Sequence, residues 1–145
     1  MSAGTPILAT LLVALIGLSS CASPSGSPEA PPDWGPLAVA RDDASGVSQA
    51  RGGQGPLTIA EECVTLTTES GAALTLVWRS GQTSWDETRQ VIVFESPSSE
   101  RIVLADGDVV TVGGEDGARD PDWIAEPHTS CPTTTFFVHE VTQAS

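Results

Sequence analysis

Apolar and polar residues alternate along much of the chain from Leu57 onwards. The alternation runs from Leu57 to Ile59, from Val64 to Leu66 and from Leu74 to Trp78. A period of two is typical of a β-strand that buries one face. Val91–Phe94 is a continuous apolar run, which predicts a strand covered on both sides. Further strands are expected at 102–104, 109–112 and 136–141.

Turn signals separate these segments. Asp106-Gly107-Asp108 is typical of a tight hairpin turn. The apolar sets at 57–59 and 64–66 lie on opposite parities, so a single strand through both needs a bulge or a sharp bend near Ala60–Cys63. Asp120 as a cap and Pro121 in the first turn predict one short helix near Asp120–Ala125.

These elements predict an all-β fold. About six short strands with a bent first strand favour a small single-domain antiparallel barrel of the oligonucleotide/oligosaccharide-binding (OB) kind. A two-sheet β-sandwich is the alternative.

The beginning of the chain has a different pattern. Residues 7–18 form an apolar run that is too short to span a bilayer as a helix, and Leu18-Ser19-Ser20-Cys21 follows directly. We interpret residues 1–20 as a lipoprotein signal peptide and these four residues as its lipobox, with Cys21 as the lipidated first mature residue. The segment before the run contains no Lys or Arg, so Met1 need not be the true start.

Composition divides the remaining chain into two parts. Residues 21–55 are rich in Pro, Ser and Gly and are interpreted as a tether, within which 37–39 could form a short strand. Residues 56–145 are interpreted as the β-barrel domain. Once Cys21 is set aside for lipid, Cys63 and Cys131 are an even pair in an oxidising compartment, and we expect a disulfide between them.

Charge narrows the functional classes. The chain has a formal net charge of −13 and contains no lysine, which excludes Schiff-base chemistry and a phosphate-loop lysine. Nucleic acid is not expected as a partner, because phosphate binding needs clustered cations. An acidic protein is also expected to be repelled by anionic lipid headgroups, so contact with the membrane depends on the lipid anchor.

Carboxylates cluster between residues 106 and 122. Such a cluster is compatible with calcium, although the spacing matches no EF-hand loop and solvated turn residues explain it better. No other cofactor is expected. The weak calcium candidates are Asp106, Asp108, Glu115, Asp116 and Asp120.

Aromatic and histidine residues provide the remaining candidates. Trp85 and Trp123 lie in polar contexts beside carboxylates and form a candidate binding surface, unless each caps an open end of the barrel. His128 and His139 have neither zinc-ligand nor protease-motif spacing. No catalytic residue is assigned.

Five short segments occur in order along the chain: Glu62-Cys63-Val64-x-Leu66, Leu76-Val77-Trp78, Thr83-x-Trp85-Asp86, Asp106-Gly107-Asp108-x-Val110-x-Val112-Gly113-Gly114 and Cys131-Pro132 followed by Phe137-Val138. Together they resemble a group of small exported β-barrel proteins and lipoproteins, mostly uncharacterised, of high-GC Gram-positive bacteria. The resemblance covers about residues 37–141 and implies a small β-barrel at the cell surface with a structural disulfide. It implies no activity, and no functional residue is transferred.

The sequence thus predicts a lipid-anchored domain on the extracytoplasmic face of the cell membrane. We expect it to bind an envelope protein or a small ligand without catalysis. Two alternatives stay open: an envelope hydrolase with a spatially assembled site of His128 or His139 and a carboxylate, and a structural domain stabilised by calcium.

Overall fold

The computed structural model describes residues 32–41, 50–116 and 121–144, which belong to one compact unit, Pro31–Ser145. The predicted signal peptide and Cys21 lie outside the described residues. The described part contains no helix of the length and apolarity needed to cross a membrane. Its ten strands are β1 (Ala38–Ala40), β2 (Ala50–Ile59), β3 (Val64–Thr67), β4 (Ala73–Arg79), β5 (Thr83–Asp86), β6 (Val91–Glu95), β7 (Arg101–Leu104), β8 (Val109–Asp116), β9 (Trp123–Ala125) and β10 (Thr135–Gln143).

The strands form two sheets. Seven strands are ordered β10-β8-β2-β3-β4-β1-β9, and β10 also pairs with β4. The five strands from β10 to β4 therefore close into a ring. Strands β5, β6 and β7 form a separate antiparallel sheet. The all-β prediction is confirmed, with ten strands rather than about six.

The larger sheet is mixed, so it contains parallel pairs in addition to the antiparallel pairs expected of the barrel. Both β1 and β10 run parallel to β4. Val77 of β4 is paired with Ala38 on one edge and with Phe137 on the other. Parallel pairing joins strands that are distant in the chain, which explains why local alternation did not reveal it.

The predicted bent first strand is a hairpin of two strands. Leu57 pairs with Leu66 and Ile59 with Val64. The amide of Ala60 donates to the carbonyl of Cys63 at 2.9 Å and closes the loop. Residues paired directly across a hairpin share a face, so the opposite parities of the two apolar sets need no bulge.

The main apolar core fills the space between the two sheets. Within this core, Trp78 on β4 and Phe94 on β6 connect the two sheets by an edge-to-face contact. Their ring centroids lie 6.1 Å apart. The buried residues of this main core are Leu37, Val39, Leu57, Val64, Leu66, Leu76, Trp78, Ile92, Phe94, Leu104, Val110, Val112, Phe136, Val138 and Val141.

The folded part begins earlier than Pro56, the start that composition suggested. Strand β1 is buried along its whole length, and β2 begins at Ala50. Gly55 lies in β2. A Cβ at this position would collide with the carbonyl group of Thr67, so this close approach requires a glycine. Some of the glycine and alanine assigned to the tether thus serves close strand packing.

The predicted helix near Asp120–Ala125 is replaced by a strand in its described part. Trp123–Ala125 form β9, which pairs antiparallel with β1, and Asp120 lies outside the described residues. Pairing with the buried strand β1 satisfies the backbone of this segment and outweighs the local capping signals.

Candidate functional site

The disulfide places two loops side by side. Cys63 and Cys131 are bonded, with their Cα atoms 5.7 Å apart, which confirms the predicted bridge. Their neighbours Glu62 and Ser130 consequently meet, and the Ser130 hydroxyl donates to Glu62 Oε2 at 2.9 Å. The Cys131 sulfur lies 3.3 Å from the Glu62 carbonyl oxygen. This is a packing contact, because a disulfide sulfur carries no hydrogen.

His128 joins this pair and brings an imidazole, a hydroxyl and a carboxylate together. Its Nδ1 lies 2.7 Å from Ser130 Oγ and 3.1 Å from Glu62 Oε2. A nucleophile–histidine–carboxylate relay needs the hydroxyl and the carboxylate on opposite ring nitrogens. Here both face the same nitrogen, so the cluster ties the loops together and does not form such a relay.

The other histidine is held by an arginine. Arg79 Nη2 lies 2.8 Å from His139 Nε2, to which it donates. A ring nitrogen that accepts a hydrogen bond from a guanidinium is occupied and faces a positive charge. His139 is therefore poorly placed to act as a general base through Nε2.

Trp123 lies on the outer face of the larger sheet. It stacks on Phe137, with ring centroids 6.4 Å apart. The two rings pack against the small buried residues Ala38, Ala40 and Val77. Because three small side chains leave this face thinly covered, Trp123 serves packing there.

Trp85 lies in a different cluster. It is partly buried, packs against the main core and lines a cleft of about 390 Å³. We call this feature the Trp85 cleft; its lining residues are Asp33, Gly35, Pro36, Ile59, Ala60, Glu61, Trp85, Glu87 and Gln90.

Distant chain segments build the Trp85 cleft. Residues 33–36 precede β1, residues 59–61 end β2 and enter the hairpin loop, and residues 85–90 include the β5–β6 turn. The disulfide restrains the second segment, because Cys63 closes the loop that holds Glu61. The third is ordered by Asp86 Oδ1, which accepts from the Arg89 amide at 3.0 Å.

One wall of the cleft depends on a glycine. Gly35 has φ +51°, and a Cβ built on it would lie 2.6 Å from Trp85 Cε2 and closer still to Nε1. Both the left-handed backbone and the contact with the indole favour a residue without a side chain. The absence of a side chain at position 35 therefore leaves the space that the Trp85 ring occupies.

The cleft is acidic. Among the described residues, its lining contains the carboxylates Asp33, Glu61 and Glu87 and no Arg, Lys or His. Asp33 Oδ1 accepts from the Gly35 amide at 2.8 Å. Within the described ranges 32–41, 50–116 and 121–144, the side chains of Glu61 and Glu87 make no hydrogen bond or ion pair.

The two turn aspartates proposed for calcium bind the backbone. Asp106 Oδ1 accepts from the Ile59 amide and Asp108 Oδ2 from the Ala105 amide, each at 2.8 Å. Glu115 and Asp116 belong to β8, and Asp120 lies outside the described residues. Within the part of the chain that the structure describes, no three His, Cys, Asp or Glu side chains are grouped to hold a metal ion.

Sequence reasoning identified Trp85 but not the residues around it. Asp33 and Gly35 fell within the presumed tether, although the sequence Asp-x-Gly is a turn signal. The meeting of Glu62 with Ser130 depends on a bridge between residues 68 positions apart, and no local pattern marks it.

A comparison of the chain with protein-family models, curated proteins and solved structures finds no match.

Proposed function

We propose that this chain is a lipid-anchored domain on the extracytoplasmic face of the cell membrane that binds a partner or ligand in the Trp85 cleft without catalysis. The observation that carries the binding function is the cleft itself. In the cleft, the partly exposed indole of Trp85 lines one cavity together with residues 33–36 and with residues 59–61, which lead into the disulfide-restrained loop.

The location rests on the sequence. The apolar run at residues 7–18, the small residues 19 and 20, and Cys21 follow the order of a lipoprotein signal. Stable anchoring requires more than one acyl chain. Cys21→Ser should move the protein from the membrane fraction to the medium. A variant that stays in the membrane fraction contradicts the anchor.

The absence of catalysis is supported by the arrangement of the polar residues. The described residues bring one histidine close to a serine and a carboxylate, but both contact the same ring nitrogen. The cluster lies at the surface, where Glu62 and His128 are each about half exposed. Such a site neither excludes water nor separates the two roles of the imidazole.

Crosslinking in intact cells tests the binding function. Lipidated wild type, Trp85→Phe and Trp123→Phe are crosslinked, and the captured proteins are identified by mass spectrometry. We expect one dominant product from wild type, reduced by Trp85→Phe and retained by Trp123→Phe, since only the first residue lines the cleft. Equal capture by all three, or none above the Cys21→Ser background, would overturn the assignment of the cleft as a protein-binding surface.

A further inference from the structure

We infer that the Trp85 cleft takes a cationic group, an ammonium or guanidinium such as a lysine or arginine side chain presents. This inference rests on the proposed binding function of the cleft and specifies its ligand. Three features of the cleft carry it: the aromatic wall, the carboxylates around it and the apolar part of its lining.

The aromatic wall provides the first part of the recognition. An indole attracts a cation placed over its face more strongly than the other aromatic rings do. Trp85 is anchored on one side by the main core and on another by Gly35. A ring that is already held loses little freedom when a ligand binds.

Carboxylates provide the second part. Asp33, Glu61 and Glu87 come from three different segments and converge on the same cavity. Asp33 is oriented by the Gly35 amide at 2.8 Å, which joins the position of this carboxylate to that of the aromatic wall. A cation bound in the cleft is attracted by these carboxylates.

The apolar part of the lining determines the shape of the ligand. Pro36 and Ile59 also face the cavity, so it combines an apolar lining with charged groups. A lysine or arginine side chain has the same division, because its methylene stem is apolar and its head is charged. A bare metal ion has no stem and would leave these contacts unused.

Long-range attraction adds to these contacts. The chain carries a formal net charge of −13, and an acidic protein steers cations towards it at low ionic strength. This field acts over the whole surface and does not choose a site. The test must therefore separate the cleft from general attraction.

The test uses the full processed chain, purified in non-ionic detergent and labelled with 5-fluorotryptophan. Its four tryptophans are followed by ¹⁹F NMR, with Trp85 assigned from Trp85→Phe. The probes are acetyl-trilysine amide, the neutral acetyl-triglutamine amide and n-butylammonium, which mimics a lysine side chain free of peptide. The variants are Glu61→Gln, Glu87→Gln and the matched control Glu69→Gln, whose carboxylate lies in the turn between β3 and β4.

We expect trilysine to shift the Trp85 signal and triglutamine to leave it unchanged. Glu61→Gln and Glu87→Gln should each raise the Kd about fivefold, while Glu69→Gln should leave it within about twofold. Butylammonium binding as tightly as the peptide identifies a free amine as the ligand, and weaker binding identifies a polypeptide side chain; both support a cationic ligand.

Three outcomes would overturn the inference. Equal weakening by all three glutamine variants would show attraction to the acidic surface as a whole. Triglutamine binding as tightly as trilysine would leave a binding cleft with no preference for cations, so that the proposed function survives. No response of Trp85 to any probe would remove the cationic ligand, and capture in cells would then decide the proposed function independently.

Discussion

Gly35 and Trp85 are in direct contact, and the contact requires position 35 to carry no side chain. The indole occupies the space that a Cβ would need, so the segment before β1 packs directly on the Trp85 side chain of β5. The relationship gives one cleft wall its position.

A methyl group at position 35 should therefore destabilise the protein by more than its backbone cost. Gly71→Ala is the matched control, because Gly71 also has a positive φ (+83°) but open space around it. Both variants incur a cost of about 1 kcal/mol for the backbone. Gly35→Ala should lose about 2 kcal/mol more in urea denaturation, and equal losses would contradict the contact.

The disulfide should contribute substantially to the stability of this small domain. Replacing both Cys63 and Cys131 with Ala removes the bridge and should lower the free energy of unfolding by about 2–4 kcal/mol. Reduction of wild type with dithiothreitol provides the control and should give the same value. A double variant within about 1 kcal/mol of oxidised wild type would show that the packing of the loops suffices without the bond.

The two tryptophans should respond differently to substitution. Trp123→Ala uncovers Ala38, Ala40 and Val77 and should cost roughly 2 kcal/mol of stability, whereas Trp123→Phe keeps an aromatic ring on Phe137 and should recover about half. Neither change should alter binding in the Trp85 cleft. A loss of ligand binding in the folded Trp123→Phe variant would mean that Trp123 also faces the ligand.

Asp106 should act as a hydrogen-bond acceptor and not as a calcium ligand. Asp106→Asn keeps an oxygen for the Ile59 amide and should stay within about 0.5 kcal/mol of wild type, while Asp106→Ala should lose about 1–2 kcal/mol. Two results together would contradict this role. Calcium would raise the Tm of wild type but not that of Asp106→Asn, and Asp106→Asn and Asp106→Ala would be equally destabilised.

Local patterns predicted the strands whose core residues recur at every second position, including β4, which also buries Thr75 and Val77. The alternation of Leu74, Leu76 and Trp78 corresponds to β4, and the two apolar sets around Cys63 correspond to β2 and β3. Each of these strands lies next to a strand formed by the adjacent chain segment. Under that condition, periodicity and turn signals are sufficient.

The remaining architecture depends on pairings that no local pattern records. Strand β1 is only three residues long and lies beside a proline- and glycine-rich segment, so composition placed it in the tether. Its parallel pairing with β4 and its antiparallel pairing with β9 place the Gly35–Pro36 turn next to the main core. For the same reason, Trp85 could be identified from the sequence while its cleft could not.

The proposed function requires that a ligand or partner occupies the Trp85 cleft. Its most direct test places a photoreactive p-benzoylphenylalanine at Ala60, an exposed residue that lines the cleft and whose backbone hydrogen bond to Cys63 any residue can keep. The control places it at Ile124, which is 40 % exposed on β9. On irradiation of intact cells, a discrete crosslinked product from position 60 that is absent from position 124 is the predicted result. The same products from both positions, or a product from position 124 alone, would show that the Trp85 cleft is not the binding surface.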